Sequence, residues 1–268
     1  MAVRIGGPLG RWLAARLIGM RLRGGKPVVK DGLEPDLTDC RQRLERYFGT
    51  KEVGRFAGSC VLDYGCGCGG YLVAAAELGA RMAIGVDINP KYLGIGRSLA
   101  ASRNQADGCR FINVAEQPEV LDAWNGRVDC IFTIDAFEHF VRPEEELWRM
   151  YDLLVPRGRV LIWFGPPWKH PYGLHMRWLR PLPWMHLRFS ESTVMRVRGD
   201  YRPDGKTTYA QIHLGQLTVA RFTELVRASK FSVEHLRPTP IRGFRPFARL
   251  PGLREYFTSV VRCDLIKS

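Results

Sequence analysis

A regular alternation of short apolar runs and helical segments, beginning near residue 58, most constrains what this chain can fold into. The first five runs are VLDY (61–64), MAIGVD (82–87), FINV (111–114), VDCIFTI (128–134) and RVLIWF (159–164). Such alternation is typical of a parallel sheet with helices on both faces. Two later runs, FSVEHL (231–236) and TSVVRCDLI (258–266), are expected to form an edge hairpin. We therefore predict a doubly wound α/β sheet of seven mostly parallel strands with an antiparallel last strand.

The first of these strands runs into a glycine-rich turn, VLDYGCGCGGY (61–71). Gly65, Gly67 and Gly69 alternate ahead of a helix, and glycine permits both a tight turn and close approach of a ligand to the backbone. Open α/β sheets bind ligands outside the carboxyl ends of their strands. Asp87 ends the next strand, and a carboxylate there can accept hydrogen bonds from ribose hydroxyls. The pattern predicts a nucleoside-containing cofactor.

Two cofactors suit this layout, a nicotinamide dinucleotide and S-adenosylmethionine. Asp63 lies two residues before the first glycine, where its carboxylate can hold the cationic amino group of a methionine moiety. A dinucleotide would instead need helix N-terminal amides facing its pyrophosphate. The residues therefore favour S-adenosylmethionine.

Four segments of the chain resemble the class I S-adenosylmethionine-dependent methyltransferases, and most closely their small-molecule type 11 branch. They are LDYGCGCGG (62–70), GVDINP (85–90), DAFEHF (135–140) and LLVPRGRVLI (153–162). The resemblance covers roughly residues 36–268. It implies a Rossmann-like fold and methyl transfer to a small-molecule acceptor, with O-methylation as the expected reaction.

The resemblance also implies roles for individual residues of the cofactor site. Gly65, Gly67 and Gly69 would wrap the methionine part, Asp63 would hold its amino group, Asp87 would bind the ribose, Ile88 would pack on the adenine, Ala115 and Glu116 would line the adenine edge, and Ile134 and Asp135 would close over the methionine end. The family often has an acid before the Ala-Glu pair, to accept from the adenine amino group. Val114 stands there in this chain.

Asp135, Glu138 and His139 form an acidic pattern that is similar to a set found in some quinone O-methyltransferases. On a helical turn the three side chains share a face and can hold a divalent cation. The Glu-His pair is also common in the family without a metal, and a sulfonium methyl needs no Lewis acid. We therefore predict no metal.

We divide the chain into a basic N-terminal arm (1–35) and a methyltransferase domain (36–268). Residues 1–30 contain seven basic residues and no acid, out of a net charge of +13. Leu9, Leu13, Leu17 and Met20 can share one face of a helix in this arm. Two interpretations stay open: a helix lying on an anionic membrane, or one that is solvated or docked on the core.

Residues 165–216 are expected to form a lid insertion after the fifth strand. They are rich in Pro, Trp, His and Arg and show no sustained period. We expect them to close over the acceptor and to supply His175 as the best candidate base, with His139 and His170 as alternatives. The segment GPPW (165–168) follows strand five and begins with glycine, unlike the signature of nucleic-acid amino-methyltransferases, so no nucleic-acid partner is expected.

The cysteine content and hydropathy bear on the compartment. The chain has seven cysteines without metal-finger spacing, and no apolar run reaches the roughly 18 residues of a membrane span. We expect a cytoplasmic protein, with peripheral contact at the inner face of the membrane through residues 1–30 and an anionic or lipid-like acceptor as further expectations. The alternatives are a nicotinamide-dependent oxidoreductase and a non-catalytic basic binding module.

Overall fold

The computed structural model describes residues 4–22, 37–179, 182–250 and 252–268. Its centre is a seven-stranded sheet. The strands are β1 (Cys60–Tyr64), β2 (Met82–Asp87), β3 (Cys109–Asn113), β4 (Val128–Ile134), β5 (Leu154–Phe164), β6 (Phe231–Pro240) and β7 (Thr258–Lys267). Each of the seven predicted runs is a strand, although several extend further than their apolar residues indicated.

The spatial order of the strands is β3-β2-β1-β4-β5-β7-β6. β1 to β5 pair in parallel, whereas β7 is antiparallel to both of its neighbours, β5 and β6. This confirms the predicted sheet. The chain order reverses at β1 and β4, so the crevice outside their carboxyl ends is where such a sheet binds its ligand.

The described residues contain ten α-helices. They are α1 (Gly7–Leu22), α2 (Leu37–Phe48), α3 (Thr50–Gly54), α4 (Gly70–Glu77), α5 (Pro90–Ser102), α6 (Pro118–Asp122), α7 (Pro143–Leu153), α8 (Met185–Arg188), α9 (Glu191–Tyr201) and α10 (Val219–Ala228). Asn89 caps α5 by accepting from the Lys91 amide, and Thr218 caps α10 by accepting from the Arg221 amide. Side-chain caps of this kind fix where each helix begins.

The insertion between β5 and α10 folds around an apolar core of its own. Its buried side chains include Leu174, Met185, Val194 and Tyr209, the last with no exposed surface. The expectation of a segment without sustained period misses α9. Residues of α9 are buried on several sides, so the helix does not show the one-sided apolar stripe by which amphipathic helices are recognised.

Helix α1 packs against this insertion. Gly10, Ala14 and Ile18 form the buried face, and Ile5 pairs with Phe189 in a short parallel bridge. Of the apolar side chains predicted to share one face, Leu9 is 71% exposed, whereas Leu13 and Leu17 are partly buried against the insertion. Because Leu13 and Leu17 also pack against the apolar core of the insertion, α1 docks through both small and large apolar side chains.

The boundary predicted between residues 35 and 36 lies outside the described residues. In the part of the chain that the structure describes, no helix is long and apolar enough to cross a membrane.

Candidate functional site

A cleft of about 610 Å³ opens at the carboxyl ends of β1, β2 and β4. Its walls combine the glycine loop, the end of β2, the turn after β4 and one side of α7. The lining residues are Tyr64, Gly65, Gly67, Val86, Asp87, Ile88, Tyr92, Val114, Asp135, Ala136, His139, Phe140, Val141, Arg142, Glu145, Glu146, Arg149 and His213. The cleft therefore lies where the sheet topology predicts a ligand.

The three glycines of the loop differ in what surrounds them. A Cβ on Gly65 would lie 2.5 Å from the Cβ of Ala136, and one on Gly69 would lie 2.7 Å from the ring of Phe111. A Cβ on Gly67 would meet nothing within 4 Å. Gly65 and Gly69 thus allow close packing of the protein on itself, whereas Gly67 leaves open space beside the backbone for a ligand.

Asp87 lies at the end of β2 and holds the glycine loop in place. One carboxylate oxygen accepts from the Gly67 amide at 2.9 Å, and the other accepts from the Asn89 amide at 2.8 Å. A carboxylate offers about four acceptor positions. Asp87 therefore has acceptor capacity left to face the cleft, as a residue that binds ribose hydroxyls must.

Asp63 lies behind the loop and is only 1% exposed. Its Oδ2 atom has no hydrogen-bond partner among the described residues. Burial, assisted by the neighbouring Asp87, holds the pKa of the Asp63 carboxyl well above its usual range. A buried acceptor without a partner is costly. Asp63 is not among the residues that line the cleft, so a cationic amino group in the cleft would be held through a bridging water rather than directly. This fits the methionine end of S-adenosylmethionine.

The residues predicted for the adenine side separate into two groups. Ile88 and Val114 both line the cleft, and Ile88 is 47% exposed and available for packing on a flat ring. Ala115 and Glu116 are exposed to solvent, and neither is among the residues that line the cleft. Ile134 is buried in the core between the sheet and α2. Asp135 does line the cleft, from a left-handed backbone conformation with φ of 51°.

Glu138 ties the insertion to the turn after β4. Its Oε1 accepts from the Gly165 amide at 3.2 Å, at the start of the insertion, and its backbone oxygen accepts from the Gly215 amide at 3.2 Å, at the end. The side chain is 3% exposed, and its Oε2 has no partner among the described residues. Burial and the nearby Asp135 raise the pKa of the Glu138 carboxyl well above its usual range.

Two of the predicted histidines lie next to Glu138. His139 lines the cleft, and its Nδ1 is 2.8 Å from the backbone oxygen of His213. His175 packs edge to face on His139, with ring centroids 4.9 Å apart, and its Nε2 is 2.8 Å from the oxygen of Pro166. Each carbonyl can only accept, so these contacts assign the protonated nitrogens as His139 Nδ1 and His175 Nε2.

The electrostatics keep both imidazoles neutral. Burial is the main cause in each case: it lowers the pKa of His139 and lowers the pKa of His175 to about 4. His139 Nε2 and His175 Nδ1 therefore carry lone pairs near pH 7. His170 lies in a turn outside the cleft lining, where its Nδ1 accepts from the Tyr172 amide.

The structure also changes the composition of the candidate cation site. Ligand atoms of Glu138, His139 and His175 lie within 4.8 Å of one another. The sequence pattern had put Asp135 with Glu138 and His139 instead. Asp135 follows β4 in a left-handed turn rather than on a helix, so the helical spacing assumed for it does not hold.

The sequence reasoning missed several residues of the cleft wall. Arg142 directly precedes α7, and Glu146 and Arg149 lie in its first two turns. Glu146 accepts a hydrogen bond from the Tyr64 hydroxyl. His213 arrives from the end of the insertion in a left-handed conformation, and no local pattern identifies it.

Comparison with known proteins agrees with this geometry. A family model described as a methyltransferase domain matches residues 35–197, more than half of the chain. Ribosomal protein L11 methyltransferases of Haemophilus ducreyi and Escherichia coli are each 38% identical, over 66 and 92 residues. These matches cover 25% and 34% of this chain but only 22% and 29% of the relatives.

Solved structures extend the similarity to almost the whole chain. An S-adenosylmethionine-dependent methyltransferase from Mesorhizobium loti has a TM-score of 0.54 at 16% identity, covering 86% of this chain and 100% of that one. A geranyl diphosphate C-methyltransferase from Streptomyces coelicolor, solved with Mg²⁺, geranyl diphosphate and S-adenosylhomocysteine, has a TM-score of 0.53 at 15% identity, covering 98% and 100%. At these identities the likeness establishes the fold.

Proposed function

Because this chain belongs to the methyltransferase domain family, we propose that it transfers a methyl group from S-adenosylmethionine to a small-molecule acceptor. We expect the acceptor atom to be oxygen. The nicotinamide-dependent alternative loses its basis, since the family model and the similar structures are methyltransferases.

The observation that supports this proposal best is the pairing of an open glycine loop with two carboxylates. Gly67 has free space beside its backbone, Asp87 braces the loop from the edge of the cleft, and Asp63 has a buried oxygen without a partner. These are the groups needed for the methionine chain, the ribose and the amino group respectively. Ile88 and Val114 provide an apolar surface for the adenine.

When bound, the sulfonium of S-adenosylmethionine supplies an electrophilic methyl group. The contribution of this chain is then to align an acceptor heteroatom with that methyl and to accept the acceptor's proton. Alignment of two reactants in one site is the larger of the two effects. A correctly placed general base adds about 10²–10⁴-fold.

Of the three predicted histidines, His139 is the one that lines the cleft, with a neutral ring and a free Nε2 lone pair. We therefore assign to His139 the role of accepting a hydroxyl proton, and to His175 the role of holding the His139 ring. This shifts the predicted emphasis from His175 to its neighbour, because His175 contacts His139 and the Pro166 carbonyl and is not among the residues that line the cleft.

The insertion suits a small acceptor because it is anchored rather than loose. Glu138 bonds both of its ends, and its buried side chains form an apolar core. An anchored wall of this kind can exclude water from the reacting atoms.

The test is calorimetric titration of the purified full-length chain with S-adenosylhomocysteine and, separately, with NADH. We expect saturable binding of the first and none of the second. Binding of NADH alone would overturn the proposal. Full turnover by a His139→Ala variant would remove His139 from the chemistry without affecting the cofactor assignment.

Helix α1 bears on the predicted membrane contact. Its outward side chains include Leu9 and Trp12, which are 71% and 58% exposed, with Arg16 lying 5.6 Å from the Trp12 ring centroid. We keep peripheral contact of this face with an anionic membrane as part of the proposal. Ala14 and Ile18 are buried against the insertion, so deletion of the arm would also expose the insertion core. The membrane contact is therefore best tested by substituting polar residues for Leu9 and Trp12.

A further inference from the structure

The connection between β6 and β7, residues 241–257, exposes an unusual amount of apolar surface. We call it the hairpin connection. Four large apolar side chains within ten residues are exposed, Phe244 at 43%, Phe247 at 47%, Leu250 at 51% and Leu253 at 39%. Single exposed apolar residues are ordinary, but a contiguous group of this kind marks an interaction surface.

The hairpin connection is also strongly basic. It contains Arg242, Arg245, Arg249 and Arg254 against one acid, Glu255, which pairs with Lys169 of the insertion. All four arginines are exposed, and none forms an ion pair with a described residue. Arginines interspersed with phenylalanine and leucine provide both the charge and the apolar contact that an anionic lipid surface requires.

An open cleft runs along the same segment. It has a volume of about 570 Å³ and combines three of the arginines with apolar side chains. Its lining residues are Pro238, Pro240, Arg245, Ala248, Arg249, Leu250, Arg254 and Thr258. Guanidinium groups bind phosphate oxygens well, so this cleft suits the head group of an anionic phospholipid.

The exposed side chains are held in place rather than trailing in solvent. Phe244 stacks on Phe257 with ring centroids 5.2 Å apart and an interplanar angle of 11°, and Phe247 lies 5.5 Å from the same ring. The Ile241 amide donates to the Phe257 oxygen and closes the segment. Because the surface is already ordered, binding requires little further loss of conformational entropy.

The hairpin connection lies at the same edge of the sheet as the carboxyl ends of the parallel strands. β7 is antiparallel to β5, with Phe164 opposite Val261, so the start of β7 lies at the edge where β5 ends. The insertion touches the segment there: Lys169 pairs with Glu255 at 2.8 Å, and Trp184 packs on Phe257 at 6.1 Å between centroids. The surface therefore borders the insertion, which we expect to close over the acceptor.

We propose that the hairpin connection docks the protein on an anionic lipid bilayer, with lipid phosphate held by Arg245, Arg249 and Arg254. The bilayer is favoured over an acidic protein because the apolar side chains and the arginines alternate along one exposed segment. A further consequence, that the methyl acceptor is a membrane-resident amphiphile, rests on the proposed function. Docking itself does not.

The experiment is flotation of the full-length chain with vesicles of phosphatidylglycerol in phosphatidylcholine and with vesicles of phosphatidylcholine alone. We expect binding to the anionic vesicles only, and weaker binding at high salt. In an Arg245→Glu/Arg249→Glu variant we expect affinity for anionic vesicles to fall at least ~30-fold. A matched Arg110→Glu/Arg127→Glu variant changes the net charge equally and should bind as the wild type does. Arg110 is exposed on β3, the opposite edge strand, and Arg127 is exposed directly before β4, at the amino ends of the parallel strands.

A second pair of variants tests the apolar contribution. Leu250→Ser/Leu253→Ser should weaken vesicle binding, whereas Val120→Ser/Trp148→Ser, which removes comparable exposed apolar surface elsewhere, should not. All four variants should keep the affinity of the wild type for S-adenosylhomocysteine in calorimetry, which separates failure of docking from failure of the proposed function.

Three results would overturn the proposal. The first is equal loss of binding in the two charge variants, which would reduce the effect to net charge. The second is binding that depends on Leu9 and Trp12 of α1 but not on Arg245 and Arg249. The third is a dimer in light scattering that Leu250→Ser/Leu253→Ser dissociates, without vesicle binding by the wild type, which would make the surface a contact between two copies.

Discussion

Replacement of Asp87 by alanine should weaken cofactor binding through two effects that the structure separates. The variant loses the acceptor for the ribose hydroxyls, and hydrogen bonds to a charged group contribute about 1.5–3 kcal/mol. At about 1.4 kcal/mol per decade, affinity for S-adenosylhomocysteine should fall ~10- to 150-fold. The variant also frees the Gly67 and Asn89 amides, which Asp87 binds at 2.9 and 2.8 Å, so the glycine loop loses its brace.

Calorimetric titration of three variants distinguishes these effects. Asp87→Asn keeps one acceptor oxygen and should lie between the wild type and Asp87→Ala in affinity. Asp107→Ala, which removes an exposed carboxylate elsewhere, should bind as the wild type does. Unchanged affinity in Asp87→Ala would refute the assignment of this residue to the ribose. A lower melting temperature with unchanged affinity would leave Asp87 with the loop-bracing role alone.

Three further outcomes follow from the site and the insertion. Activity should survive EDTA, because a sulfonium methyl needs no Lewis acid; loss in EDTA with recovery in Mg²⁺ would instead make Glu138, His139 and His175 a metal site. His175→Ala should lower kcat at least ~10-fold and shift its pH profile while leaving S-adenosylhomocysteine affinity intact, and an unchanged kcat would make His175 purely structural. Burial lowers the pKa of His186 to about 4 from an ordinary 6.5. As the pH falls from 6.5 to 4, His186 therefore takes up a proton in the unfolded chain but not in the folded chain. The free energy of unfolding should therefore fall by about 3 kcal/mol from this residue between pH 6.5 and 4, and urea titrations of a His186→Gln variant should show a smaller acid loss, an equal loss being the contrary result.

The sheet was predictable because its signals are local. Each buried strand is a short apolar run, and Asn89 and Thr218 stand one residue before helices that they cap. One local pattern indicates where β1 ends, where the glycine turn follows it, and where the acid at the end of β2 lies. Gly67 and Asp87 therefore meet in the structure as their spacing indicated.

The parts that could not be predicted depend on contacts between distant segments. Ala14 and Ile18 are buried because the insertion, more than 150 residues later, covers them, and nothing in α1 itself favours that face over Leu9. Likewise His175 joins Glu138 and His139 because Glu138 bonds both ends of the insertion. Residues on separate segments come together through such anchors, which spacing along the chain does not reveal.

The most direct test of the central claim is transfer of an isotopically labelled methyl group. The purified chain is incubated with labelled S-adenosylmethionine and a membrane-containing extract of its source cells, and the products are separated and identified by mass spectrometry. We predict label in a small molecule that partitions with the lipid fraction, with much less in the same reaction containing Asp87→Ala. Label confined to protein or nucleic acid, or no transfer above that of Asp87→Ala, would contradict the account.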